Sequence, residues 1–93
     1  MSKLENKLIE MGYEFSDKVC GDKHYTKRYN HLVGLQISIY DEKVVEEQCC
    51  IKLLYCASLY EEETINNFNE SLKNAFYQLQ YDLKELKKCM TIF

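Results

Sequence analysis

Apolar residues in the last third of the chain recur at three- and four-residue steps: Ile65, Phe68, Leu72, Ala75, Phe76, Leu79, Leu83, Leu86 and Met90. That spacing keeps side chains on one helical face and predicts a single long helix over 61–90 with its stripe in the core. At roughly 100° per residue, Tyr77 and Tyr81 fall nearly opposite the stripe's centre, beside Glu63, Glu70, Lys84 and Lys88. Glu61, Glu62 and Glu63 open the helix and Lys84, Lys87 and Lys88 close it, so both ends complement the helix dipole.

A shorter helix is predicted at the start. Ser2 and Glu5 have the spacing of a capping box, Leu4, Leu8, Ile9 and Met11 share a face, and Gly12 is the stop. From Tyr13 the period changes to two. Tyr13, Phe15 and, after Asp17, Val19 alternate with Glu14, Ser16 and Lys18, and Cys20-Gly21-Asp22 supplies a turn. A second strand follows over about 23–29, Asn30-His31 breaks it, and Val33, Leu35, Ile37 and Ile39 define the third. After a turn at Asp41-Glu42-Lys43, a fourth strand is expected near 48–57, with Cys49, Ile51, Leu53, Tyr55 and Ala57 on one face and Cys50, Leu54 and Cys56 on the other. Apolar residues on both faces mark it as central.

The expected fold is therefore α+β. A short N-terminal helix precedes an antiparallel meander of three to four strands, and a long C-terminal helix lies across the sheet (α-β-β-β-β-α). The 93 residues are enough for one core and too few for two, so 1–93 reads as one domain. A 25-residue helix spans roughly 38 Å, against about 23–30 Å for the strands. The overhang calls for cover by the first helix or by a second protomer, the latter giving a homodimer through Leu83, Leu86, Met90 and the tail Ile92-Phe93.

Net charge is −3 with 29% charged residues, an ordinary surface that neither attracts nucleic acid overall nor suggests a disordered acidic tail. The first residues hold no continuous apolar stretch, so a cytoplasmic location is expected, and five cysteines, an odd number, agree with a reducing compartment. No C-x₂₋₄-C pair announces zinc, and the cysteines are expected to act as small buried apolar side chains, with no metal or other cofactor. His24 and His31 are the only histidines, and no nucleophile elbow or phosphate loop is present, so no enzyme activity is expected.

Two surfaces remain as binding candidates. The first is acidic and tyrosine-bearing: Tyr60, Glu61, Glu62, Glu63, Glu70, Tyr77 and Tyr81, suited to docking on another protein because the rings give rigid contact area and the carboxylates steer association. The second is the basic aromatic segment 23–31, where Lys23, Tyr25, Lys27, Arg28 and Tyr29 have the residue types that hold single-stranded nucleic acid, cations for phosphates and rings for bases. Alternation places Lys23, Tyr25, Lys27 and Tyr29 on one face.

The element order resembles that of the double-stranded RNA-binding domain, but its helix presents lysines where this one begins Glu61-Glu62-Glu63. In style the chain resembles small bacteriophage and prophage proteins of low-GC Gram-positive bacteria: rich in Lys, Asn, Tyr, Ile and Glu, without Pro or Trp, and opening Lys-Leu-Glu-Asn-Lys-Leu-Ile-Glu-Met-Gly-Tyr. That resemblance implies a non-enzymatic interaction protein, of which anti-defence and anti-CRISPR inhibitors are one class.

Overall fold

The computed structural model describes residues 2–54 and 62–90, the side chains of 62–66 and 90 excepted. Helix α1 (Lys3–Glu10) starts at Ser2, whose hydroxyl accepts from the Glu5 amide, and ends in a left-handed turn. Gly12 (φ +96°) donates to the Ile9 carbonyl and Tyr13 to the Leu8 carbonyl, the paired bonds of a Schellman motif. The Glu5 carboxylate does not complete the capping box; it turns inward to β-sheet partners described below. Leu4 and Leu8 are buried while Ile9 is exposed, so α1 presents a narrower stripe than its sequence suggests.

Strands β1 (Glu14–Val19), β2 (Asp22–Arg28) and β3 (Val33–Tyr40) form an antiparallel meander. The β1–β2 turn uses Cys20 and Gly21, both at positive φ, which matches the twist of the paired strands. Asp41 and Glu42 make the same kind of turn after β3, without a glycine. The chain beyond that turn is split. Strand β4 (Lys43–Val44) pairs with the end of β3, a single 3₁₀ turn (Glu46–Gln48) lifts the backbone away, and β5 (Cys50–Leu53) returns to pair with the start of β3.

This arrangement corrects the expectation of a central fourth strand. The central strand is β3, flanked by β2 on one side and by β4 and β5 on the other; its residues are buried on both faces until Tyr40. Among the described residues β5 pairs with β3 alone, which leaves Cys50 and Leu53 exposed. Residues 55–57 of the expected strand lie outside the described residues.

Helix α2 (Glu62–Met90) runs for 29 residues, close to its predicted bounds. Ala75, Leu79, Leu83 and Leu86 form one cluster with Leu4, Leu8, Tyr13, Tyr25 and the inward face of β3, namely Val33, Leu35, Ile37 and Ile39. Phe68 and Leu72 pack against its edge. Phe76, expected in the stripe, is 51% exposed. It sits about 60° around the helix from the stripe's centre, facing the β5 side.

The overhang of α2 is real, roughly 44 Å of helix against about 27 Å of β3. Leu83 and Leu86 nevertheless lie buried within the single chain, in the cluster that also holds Leu4 and Leu8. Met90's side chain, Ile92 and Phe93 lie outside the described residues. Both helices pack on one face of the sheet, and among the described residues no helix covers the other.

The Asp41–Glu42 turn yields a stability prediction. Glu42 holds φ +65°, where a side chain costs about 1–2 kcal/mol, whereas glycine adds about 0.5–1 kcal/mol of unfolded-state entropy. Glu42→Gly should therefore stabilise the protein by about 0.5–1 kcal/mol, read as a higher urea midpoint at unchanged slope.

Candidate functional site

The alternation predicted for β2 is present, and its consequence is the reverse of accessibility. Lys23, Tyr25 and Lys27 pair in register with Ile39, Ile37 and Leu35, so they point to the face that the helices cover. Two lysines and a tyrosine on a covered face need acceptors, and the helices supply them. Glu5 of α1 accepts from Lys23 Nζ (2.9 Å) and from Tyr25 Oη (2.9 Å). Asp82 of α2, 2% exposed, accepts from Lys27 Nζ (3.0 Å) and Tyr13 Oη (2.7 Å) on one oxygen and from Gln78 Nε2 (2.9 Å) on the other. Lys27 also donates to the Met11 carbonyl (3.2 Å) and lies 4.7 Å from the Tyr13 ring centroid.

Lys23, Tyr25 and Lys27 are thus hydrogen-bonded to buried carboxylates of the two helices. The five residues of the basic aromatic segment divide: Lys23, Tyr25 and Lys27 are engaged inward, while Arg28 and Tyr29 are exposed. On the face away from the helices Arg28 and Lys52 flank Gly34 across three strands, with the Leu54 side chain against the space above that glycine. Tyr40, on that face by the alternation of β3, lies about 20 Å along the strand from Gly34.

Burial and these hydrogen bonds shift three of the groups, Glu5, Tyr25 and Tyr13. Lys23's donation holds the Glu5 carboxyl below its ordinary value despite burial, with help from Tyr25. Burial, and then the bond to Glu5, pushes the Tyr25 phenol up to about 12. Tyr13 is pushed higher by burial and by Asp82. His24 Nδ1 pairs with Asp17 Oδ1 (2.7 Å) on the uncovered face.

The four described cysteines depart from their expected burial, and Cys56 lies outside the described residues. Cys20 and Cys50 are exposed, one in a turn and one on an edge strand, and Cys49 and Cys89 are half-buried. Cys49 donates to the Val45 carbonyl, and burial pushes its thiol up, the behaviour of an unreactive thiol. Among the described residues no three metal-ligating side chains converge, and no helix is long and apolar enough to cross a membrane.

The acidic, tyrosine-bearing candidates spread along α2. Tyr77 and Tyr81 are 60% and 59% exposed, one turn apart, and Phe76 meets Tyr77 edge to face with ring centroids 6.2 Å apart. Glu70 is exposed two turns before Tyr77. Glu62 and Glu63 lie in the first turn of α2, about 20 Å along the axis from Tyr77, and Tyr60 and Glu61 lie outside the described residues. The charges that spacing puts next to the two rings are instead Lys73, Lys84 and Glu85.

Beside this ridge runs a groove of 870 Å³ between α2 and the segment from Glu46 to Ile51. Its lining includes Ile51, Phe76, Leu79, Tyr81 and Leu83, and an ion pair between Lys87 and Glu46 spans it. The sequence reading missed this groove because Phe76 falls within a three-to-four-residue repeat, which cannot separate the centre of a stripe from its flank. It also missed Asp82 and Glu5 as inward partners. A signal existed for both, since each carboxylate sits directly beside the apolar positions of its helix.

No family model, no curated protein and no solved structure matches this chain.

The buried carboxylates and their tyrosine donors have measurable consequences for stability and its pH dependence. Lys27→Met leaves Asp82 short of its cation and should cost about 3–5 kcal/mol in urea unfolding, whereas Tyr13→Phe removes one bond to a charged acceptor and should cost about 1.5–3 kcal/mol. Glu5's depressed pKa makes its contribution present above the unfolded carboxyl value of 4.5 and lost as pH falls through the folded value; Glu5→Gln should flatten that acid limb of the stability curve. The tyrosines act in the opposite direction, with stability present below the unfolded phenol value of 10.0 and lost as pH rises through the folded one. In an ultraviolet phenolate titration, Tyr13 and Tyr25 should therefore ionise above the ordinary phenol value of 10.0 or together with alkaline unfolding.

Proposed function

We propose that this chain is a non-enzymatic protein-binding module of the cytoplasm that docks through the outward face of α2, with Tyr77 and Tyr81 as its contact centre. The observation that carries this reading is the exposure of both rings, 60% and 59%, on adjacent turns of a helix whose opposite face is anchored in the core. A tyrosine has only two side-chain torsions to immobilise, so a rigid helix that presents two of them binds at low entropic cost. Glu70 and the first-turn glutamates act at longer range, on encounter rather than contact. The resemblance to phage proteins makes a host defence nuclease the first partner class to test, with inhibition as the outcome of docking.

The aromatic-cation alternative has less support, because Lys23, Tyr25 and Lys27 are occupied by Glu5 and Asp82. Arg28 and Tyr29 remain for it.

The test is a double substitution, Tyr77→Ala with Tyr81→Ala. Stability should change by no more than about 0.5 kcal/mol, because both side chains face solvent. Affinity for a partner captured by the wild-type protein, measured by calorimetry, should fall by at least about 30-fold, the loss of one hot-spot contact of about 2 kcal/mol. A partner that binds the double variant as tightly as the wild type removes this reading, and so does a partner whose binding is lost only on Arg28→Ala.

A further inference from the structure

The groove between α2 and β5 has a chemistry of its own. Leu79 and Leu83 form a buried apolar floor, continuous with the core cluster, and half-buried Ile51 joins them from β5. Phe76 stands at the mouth with half its surface in water, an arrangement that forgoes much of the roughly 1.5–3 kcal/mol available on burying such a side chain. The open volume of 870 Å³ accommodates several side chains of a bound segment.

Charge distinguishes the possible occupants. Lys84 lines the groove without an ion-pair partner among the described residues. Lys73 is exposed about 16 Å further up the helix, also without one. The lining's one carboxylate, Glu46, is already paired with Lys87, and both members of that pair are more than half exposed. Such a pair is held weakly, so Lys87 can exchange Glu46 for a carboxylate brought from outside. The chain is acidic overall, yet the rim of this groove is basic. A basic segment entering it would meet Lys84 and Lys87 unfavourably, whereas an acidic one gains both.

We infer that the α2–β5 groove receives a short segment of a partner protein that carries aliphatic or aromatic side chains next to aspartate or glutamate. Its apolar side chains enter against Phe76, Leu79 and Ile51, and its carboxylates meet Lys84 and Lys87. This inference rests on the docking reading above and specifies the partner's chemistry at the place where the tyrosine ridge meets the sheet. Tyr81 belongs to both surfaces, so one partner can cover ridge and groove together.

The experiment is selection of a yeast-displayed library of short random peptides on the full chain, followed by anisotropy measurements on the enriched peptides. These use the wild type and the variants Phe76→Ser, Lys84→Glu and Tyr77→Ala. Phe76, Lys84 and Tyr77 are all exposed, and a thermal melt of each variant is the control for folding. The expected peptides combine leucine, isoleucine or phenylalanine with acidic residues, bind at least about tenfold more weakly to Phe76→Ser and to Lys84→Glu, and weaken with added salt. Enriched peptides that are basic, or acidic peptides indifferent to both groove substitutions, overturn the inference. If such peptides still depend on Tyr77, the docking reading stands and only the groove's assignment falls. If no enriched peptide responds to any of the three variants, both fall.

Discussion

Asp82 joins three parts of this fold at one carboxylate. It receives Tyr13 from the end of the first helix, Lys27 from the second strand and Gln78 from its own helix, while almost wholly removed from water. A carboxylate buried in this way is tolerable only when its oxygens are fully engaged, so the three donors and the position of α2 over the sheet are mutually dependent. Glu5 repeats the arrangement for α1, with Lys23 and Tyr25 as its donors. The two carboxylates specify where each helix lies along β2, a degree of definition that the leucines and isoleucines of the core, which are non-directional, do not supply.

Once Asp82 fixes the rotation of α2, the rest of the helix surface is assigned. The leucine stripe meets β3, the Asp82 and Gln78 flank meets Tyr13 and Lys27, and Phe76 is turned to the opposite flank beside β5. Tyr77 and Tyr81 are left outward. The groove follows from a second feature, the split of the last sheet position into β4 and β5. The 3₁₀ turn between them carries Glu46 and Cys49 to the side of α2 and leaves an open space where a continuous strand would have packed against the helix. The candidate contact surface is thus a by-product of the same geometry that makes the core.

Much of the fold was legible in the sequence because it depends on local spacing. The three- and four-residue repeat located α2 to within a residue at its start, Ser2 and Gly12 bounded α1, and the alternation of Val33, Leu35, Ile37 and Ile39 located β3 and the side chains it sends to the core. The outward direction of Tyr77 and Tyr81 was legible for the same reason, since their angle from the stripe is a property of one helix. Phe76 was not, because a residue on the flank of a stripe is buried or exposed according to what lies beside it. The fourth strand was misjudged as central on the strength of apolar residues on both faces, a pattern that an edge strand beside a groove shares.

The sequence by itself determined the order of the two helices and first three strands, the sheet's alternation, the helix ends and the outward direction of Tyr77 and Tyr81, all of which follow from periodicity and short-range hydrogen bonding within a few residues. Only the tertiary structure decided which face of β2 the helices cover. That choice turned Lys23, Tyr25 and Lys27 from a candidate surface into the partners of Glu5 and Asp82, residues 18 and 55 positions away for the two lysines. Pairing over such separations leaves no local spacing in the chain, because it is selected by the cost of burying a charge without its partner and not by the geometry of any one element.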